Sequence, residues 1–288
     1  MRIILFAVTG LFLGLVPAFA HGYAGGRYFP ATVLTEDPFV ADELALPTFT
    51  HRKGGEEPGA REDEWEFEFS KRVSDNFALS IEGGWTHQKG EESSVDGFAN
   101  LSLGAKYQLL VDEAAEFALA VGLGVELGGT GSAHLDVADF NTYEPAILFG
   151  KGLGDLGEAT ALLRPFAVTG FAGVSLPERG HGNLVYGGAV EYSLAYLHAS
   201  VRDMDLPDWV NQLTPLIEFS LETPLSGDER TTGSVNPGLI WSGQSVQIAV
   251  EAVMPVNRDS GDTVGIMAQL HFYLDDIFPE TLGTPVFR

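Results

Sequence analysis

The chain has 288 residues, with 40 Asp and Glu against 16 Lys and Arg, a formal net charge of −24 at pH 7. That balance repels nucleic acid and disfavours docking on anionic headgroups, while it suits binding or passing cations. Cysteine is absent from the whole sequence, which excludes disulfide stapling, thiolate metal ligation and a cysteine nucleophile.

Residues 1–20 divide into Met1-Arg2, an apolar run from Ile3 to Val16, and Pro17-Ala18-Phe19-Ala20. This is the layout of a secretory signal peptide cut after Ala20. The run falls short of the roughly 20 residues that a spanning helix needs. No later stretch is long and apolar enough either, so any membrane crossing is expected as strands. Residues 21–45 do not alternate and are expected to be a periplasmic tail or a plug folded into a barrel mouth.

From residue 64 onward the pattern has period two. Trp65, Phe67 and Phe69 alternate with Glu64, Glu66 and Glu68, and Phe77, Leu79 and Ile81 alternate with Ser80 and Glu82. These two runs predict a hairpin around 74–76. Further strands are predicted at 97–111, 116–127, 141–152, 162–174, 184–197, 213–224, 233–241, 245–256 and 263–274, and a twelfth at 46–53 despite Pro47. The 35 glycines and 15 prolines suit the turns this demands.

Connections alternate between long and short, with exceptions at 153–161 and 198–212, the latter carrying a short surface helix at 203–213 with Pro207 in its first turn. Long external loops, short periplasmic turns and an even strand number describe a bacterial outer-membrane barrel. The predicted fold is therefore all-β, a transmembrane antiparallel β-barrel of about 12 strands over residues 46–274, followed by a periplasmic tail at 275–288. A soluble β-sandwich is the alternative. Against it stand a sparse second face mixing Gly, Ala and Glu, and Trp65, Trp85 and Trp241 near strand ends, where interface aromatics belong.

Three segments, His21 to Pro30 (HGYAGGRYFP), Leu148 to Leu156 (LFGKGLGDL) and Ala268 to Pro279 (AQLHFYLDDIFP), resemble a family of uncharacterised bacterial outer-membrane proteins akin to the meta-pathway phenol-degradation-like channels. The resemblance covers most of the chain after residue 20. It implies an outer-membrane barrel that passes small, hydrophobic molecules, and it supplies no catalytic residue. The strand at 263–274 is not terminal, and Phe287 is followed by Arg288, a departure from the usual terminal aromatic.

With the apolar face toward lipid, the lumen-facing residues are Glu66, Glu68, Glu82, Lys106, Glu126, Glu144, Glu191, Glu218, Glu222, Glu251, Gln269 and His271. Carboxylate rings in a narrow pore favour cations; equally, polar side chains fill many barrel interiors. Glu56, Glu57, Glu62, Asp63, Glu91, Glu92, Asp96, Asp259 and Asp262 make the external loops acidic, able to share divalent ions with lipopolysaccharide or simply to stay solvated. His21, as a new amino terminus, offers nitrogen ligands for copper, but a lone histidine lacks a ligand set. No Gly-x-Ser-x-Gly elbow and no phosphate loop is present around Gly150-Lys151-Gly152, so no enzyme and no cofactor is expected. The expected function is a channel or facilitator for a small solute, with lipid, lipopolysaccharide and the barrel assembly machinery as partners; a non-conducting structural or ligand-binding barrel is the alternative.

Overall fold

The computed structural model of the protein describes residues 22–53, 60–90, 93–135, 137–227 and 230–287. The expected leader and His21 lie outside them. Strands β1 (Tyr23–Ala24) and β2 (Arg27–Tyr28) form a small hairpin. They are followed by β3 (Glu43–Lys53), β4 (Arg61–Ser74), β5 (Phe77–Lys89), β6 (Ser94–Phe98), β7 (Leu101–Asp112), β8 (Phe117–Leu127), β9 (Thr142–Gly152) and β10 (Phe166–Pro177), then β11 (Asn183–Tyr192), β12 (Leu213–Pro224), β13 (Thr232–Ser242), β14 (Val246–Pro255) and β15 (Gly265–Tyr273).

Strand β6 pairs only with the outer end of β5. The other twelve strands from β3 onward each pair antiparallel with their chain neighbours, and β15 pairs with β3. The ring is thus a closed barrel of twelve strands, in which backbone N–H and C=O groups satisfy each other strand to strand, as a lipid environment requires.

Side-chain alternation fixes which face meets lipid. Along β15, Ile266 is exposed while Met267, Gln269, His271 and Tyr273 are buried. Around the ring Leu79, Leu103, Leu123, Ile147, Ile217, Leu239 and Val250 all point outward and exposed. Inside, glutamates, glutamines, asparagines and threonines are buried instead. An apolar exterior around a polar interior inverts a soluble sandwich and is the pattern of an outer-membrane barrel. Aromatics bracket the apolar belt: Phe49, Trp65, Trp85 and Phe98 adjoin across β3 to β6 at one end, and Phe166 packs on Tyr192, centroids 4.7 Å apart, at the other. The protein is a multi-pass outer-membrane barrel.

Both ends of the ring sit with the tight connections 75–76, 113–116 and 243–245, here named the turn end; the opposite end, where β3 ends and β4 begins and where β6 pairs, is named the loop end. In outer-membrane barrels generally the tight turns are periplasmic and the longer loops external. Pro47 is accommodated because the register shifts on both sides of β3, between Ala45 and Thr48 against β4 and between Gln269 and His271 on β15, so its missing N–H falls at an irregularity.

Five sequence boundaries need correction. The first barrel strand begins at Glu43 rather than 46. The segment 97–111 is two elements, because β6 covers 94–98 and β7 starts at Leu101. The strand expected at 162–174 starts at Phe166, after a 3-10 turn over Glu158–Leu163. The strand expected at 184–197 stops at Tyr192: the Ser193 hydroxyl accepts from the Tyr196 N–H at 3.1 Å and turns the chain into α1 (Leu194–Tyr196). The helix expected at 203–213 is the single turn α2 (Asp208–Asn211), with Pro207 capping it rather than inside it. After β15 the chain forms α3 (Leu274–Ile277), and the N–H groups of Val286 and Phe287 then donate to the Arg72 and Val73 carbonyls, tying the tail to the turn end of β4.

Candidate functional site

Residues 22–42 occupy the turn-end half of the lumen. Their root is the β1–β2 hairpin, whose Gly25 takes φ +61°; a Cβ there would lie 2.4 Å from the Glu113 carbonyl oxygen, so only glycine fits. Arg27 follows and is fully buried. Its Nε donates to Glu116 at 3.1 Å, its Nη1 donates to the Pro165 carbonyl at 3.1 Å, and its Nη2 donates to the Arg164 carbonyl. The guanidinium also lies 3.7 Å above the Tyr196 ring. Glu116 in turn accepts from the Gly154 N–H at 2.9 Å and from the Tyr196 hydroxyl at 3.0 Å. Bare Gly152 and Gly154 leave the space this carboxylate fills. Phe29 completes the root, buried with Ala24, Phe39, Ala118 and Ala167.

From the root the segment crosses to the β12–β14 wall. The Glu218 carboxylate, fully buried, accepts from three successive N–H groups, Val33 at 2.8 Å and Leu34 and Thr35 at 2.9 Å each. Gln247 donates to the Ala31 carbonyl at 2.6 Å, and Val33 packs on Leu216, Ile240 and Ala249. The segment then returns to β7, where Lys106 pairs with Glu36 at 3.0 Å and donates to the Asp37 carbonyl at 2.9 Å. Asp42, fully buried, ends it by accepting from the Arg72 N–H and Nε at 2.9 and 2.8 Å and from Lys71 at 2.5 Å.

What remains open is a cavity of about 510 Å³ floored by residues 31–37 and walled by β3, β4, β5, β7, β8, β9 and β15. The sequence-predicted lumen residues divide between these two regions. Glu66, Glu68, Glu82, Glu126, Glu144, Lys106, Gln269 and His271 line the cavity. Glu126 accepts from Asn100 at 2.7 Å, and His271 pairs with Glu43 at 3.2 Å. Glu191, Glu218 and Glu251 also face inward but are sealed in the filled half, Glu251 beside Asn236 at 3.2 Å and Glu191 beside Thr169 at 3.5 Å. Glu222 is bound by the Asn183 amide near the loop end, away from the cavity.

The cavity also holds residues outside the predicted lumen set, among them Glu64, which alternation places on the face of Glu66 and Glu68. Glu36, Asp37, Glu43, Glu64 and Arg52 contribute to its lining. Arg52 lies 3.7 Å from Glu62 and 3.4 Å from Glu64, which extends the acidic wall toward the loops. Among the described residues no cluster of three or more metal-binding side chains converges.

Burial pushes the Asp37 carboxyl up to about 6 from its ordinary 3.8, with Lys106 opposing and Glu43 and Glu36 adding to the rise. A raised pKa means that the docked segment holds a proton that the released segment has lost. The resulting stabilisation is full below the ordinary carboxylate value and lost as pH rises through about 6. Docking is therefore expected to weaken as pH rises from about 4 through about 6, measured as the open fraction of single channels. Asp37→Asn is expected to flatten that dependence; a slope unchanged in the variant removes Asp37 as its source.

No family model matches the chain, and no curated protein matches it. Among solved structures, an outer membrane channel from Pseudomonas putida F1 is similar at 11% identity and TM-score 0.51, covering 85% of this chain and 99% of that one. KdgM porin is similar at 14% identity and TM-score 0.48, over 80% and 98% of the two chains. LpxR from Salmonella typhimurium follows at 10% identity and TM-score 0.47, over 80% and 99%. The first likeness shows the barrel fold.

Proposed function

We propose that the protein is an outer-membrane channel for a small cationic solute, occluded on its periplasmic side by residues 22–42. The observation that carries this reading is the cavity itself: a carboxylate-lined vestibule of about 510 Å³ whose floor is a separate segment of chain rather than barrel wall. A twelve-strand ring is wider than the eight-strand size that side chains fill by themselves and narrower than a 16-strand porin. A segment laid inside such a ring closes it without changing the wall. Carboxylates aimed at a narrow lumen raise the local concentration of cations. The sequence resemblance adds a small-molecule channel to this reading, while the acidic lining points away from the hydrophobic solutes that resemblance implies.

The alternative, a non-conducting binding barrel, is favoured by the attachment of residues 22–42 through Arg27, Glu218 and Asp42 together. Planar-bilayer recording separates the two. The intact chain is expected to conduct rarely, and a chain lacking residues 22–41 to conduct readily, with a reversal potential in asymmetric KCl on the potassium side. A silent deletion variant, or one that prefers chloride, ends the channel reading.

A further inference from the structure

Most of the vestibule's unsatisfied groups are oxygen acceptors. Among the described residues Glu66, Glu68, Glu82 and Glu144 make no hydrogen bond or ion pair, because Lys106 is taken by Glu36 and Asp37 and Arg52 by Glu62 and Glu64. Two neutral acceptors on the same wall are left in the same state. The Thr50 hydroxyl and the Gln269 amide oxygen have no partner, although Thr50 is 1% exposed and Gln269 8%. Both residues line the cavity.

We infer that this wall binds an extended organic cation carrying two or more ammonium groups, of the linear polyamine class. The inference rests on the channel reading above and names its solute. Register sets the spacing. Glu68 stands directly opposite Glu82. Glu82 is two strands from Glu126 through Ser102, and three strands from Glu144, whose row runs through Gly124 and Gly104 to Ser80. Neighbouring strands lie about 4.8 Å apart and alternate residues along a strand about 6.7 Å apart. The free carboxylates are thus spread over four strand spacings from Glu68 to Glu144, roughly 19 Å of wall, rather than focused on one point. A single metal ion needs oxygens at about 2 to 2.6 Å around one centre. A chain of ammonium groups matches the arc instead, each with three N–H donors for carboxylate, hydroxyl or amide oxygen. Its methylene stems have Met267, Ala45 and Ala146 to lie against.

Calorimetric titration of the folded barrel in detergent with spermidine, butylamine and magnesium chloride tests this. Spermidine is expected to bind at physiological salt, with butylamine and magnesium each weaker by roughly tenfold or more. Glu68→Gln with Glu82→Gln is expected to cost spermidine a similar factor, while Asp259→Asn with Asp262→Asn on a loop leaves it unchanged. No binding by the unaltered chain, equal binding of the monoamine or the metal, or indifference to the Glu68/Glu82 change overturns the inference. Spermidine binding by the intact barrel, with silence of the chain lacking residues 22–41 in bilayers, upholds the inference and ends the channel reading; conduction by that shortened chain without spermidine binding does the reverse.

Discussion

Replacing Glu218 with alanine is expected to free residues 31–35 from the lumen wall and convert a mostly closed barrel into one that opens often. The carboxylate is fully buried and accepts from the N–H groups of Val33, Leu34 and Thr35 within 2.9 Å. Hydrogen bonds to a charged group contribute about 1.5–3 kcal/mol each. Three on one carboxylate are not additive. A net cost to docking of about 3 kcal/mol is the reasonable scale, which is roughly a hundredfold shift toward the released segment.

The absence of cysteine from the chain makes this measurable. Thr35 is buried, lines the cavity and has a hydroxyl without a partner, so Thr35→Cys is a nearly isosteric reporter. Labelling of that thiol by a hydrophilic maleimide is expected to accelerate by roughly the same factor in the Glu218→Ala background, alongside a rise in open fraction. Heat-modifiable gel mobility should show the barrel itself intact. Labelling as slow as in the parent would mean that Glu218 is a passive interior acid and does not hold the segment.

The case of Glu218 also shows where the sequence stops being informative. Period-two alternation separates its face from that of Ile217, and the structure puts Ile217 toward lipid and Glu218 inside. The closed ring was legible for the same reason, since each strand's pattern is local. Alternation cannot distinguish Glu218 from Glu68, however, because the difference lies in a partner 183 to 185 residues away. For the same reason residues 22–42 could be read only as a tail or a plug. Their contacts are made one side chain at a time, through Arg27, Ala31, Asp37 and Asp42, with no periodicity to detect.

Two boundary errors are local instead. Leu162-Leu163 and Leu194-Ala195-Tyr196-Leu197 are as apolar as a strand. In the first, the Thr160 and Arg164 N–H groups donate to the Gly157 and Ala161 carbonyls three residues back. In the second, the Ser193 cap wins over strand extension. A serine ahead of an apolar run was the available signal for that second turn.

Arg27→Ala is expected to have the larger effect on the root, because it strips a buried carboxylate of its counter-charge. Arg27 is fully buried and holds Glu116 together with two backbone carbonyls, under cover of Tyr196. Removing one partner of a buried pair costs about 3–5 kcal/mol, more than the pair itself contributes, because the other charge stays behind. Chymotrypsin is the convenient probe, since Tyr28 and Phe39 are shielded in the docked segment. The parent barrel is expected to resist cleavage after both residues, and Arg27→Ala to be cut at both. Arg27→Lys should rescue only in part, since one ammonium cannot span a carboxylate and two carbonyls as the guanidinium fork does.

Adding Glu116→Ala to Arg27→Ala should restore part of the resistance, because the stranded charge is then gone. That recovery separates an ion-pair root from simple loss of packing, which a second truncation could only worsen. Combining Arg27→Ala with Glu218→Ala asks whether the segment leaves in one step. If root and wall are held independently, cleavage at Tyr28 follows Arg27 and labelling at residue 35 follows Glu218. If the segment moves as a unit, either change exposes both sites, and occlusion of the channel is set by their joint hold on residues 22–42.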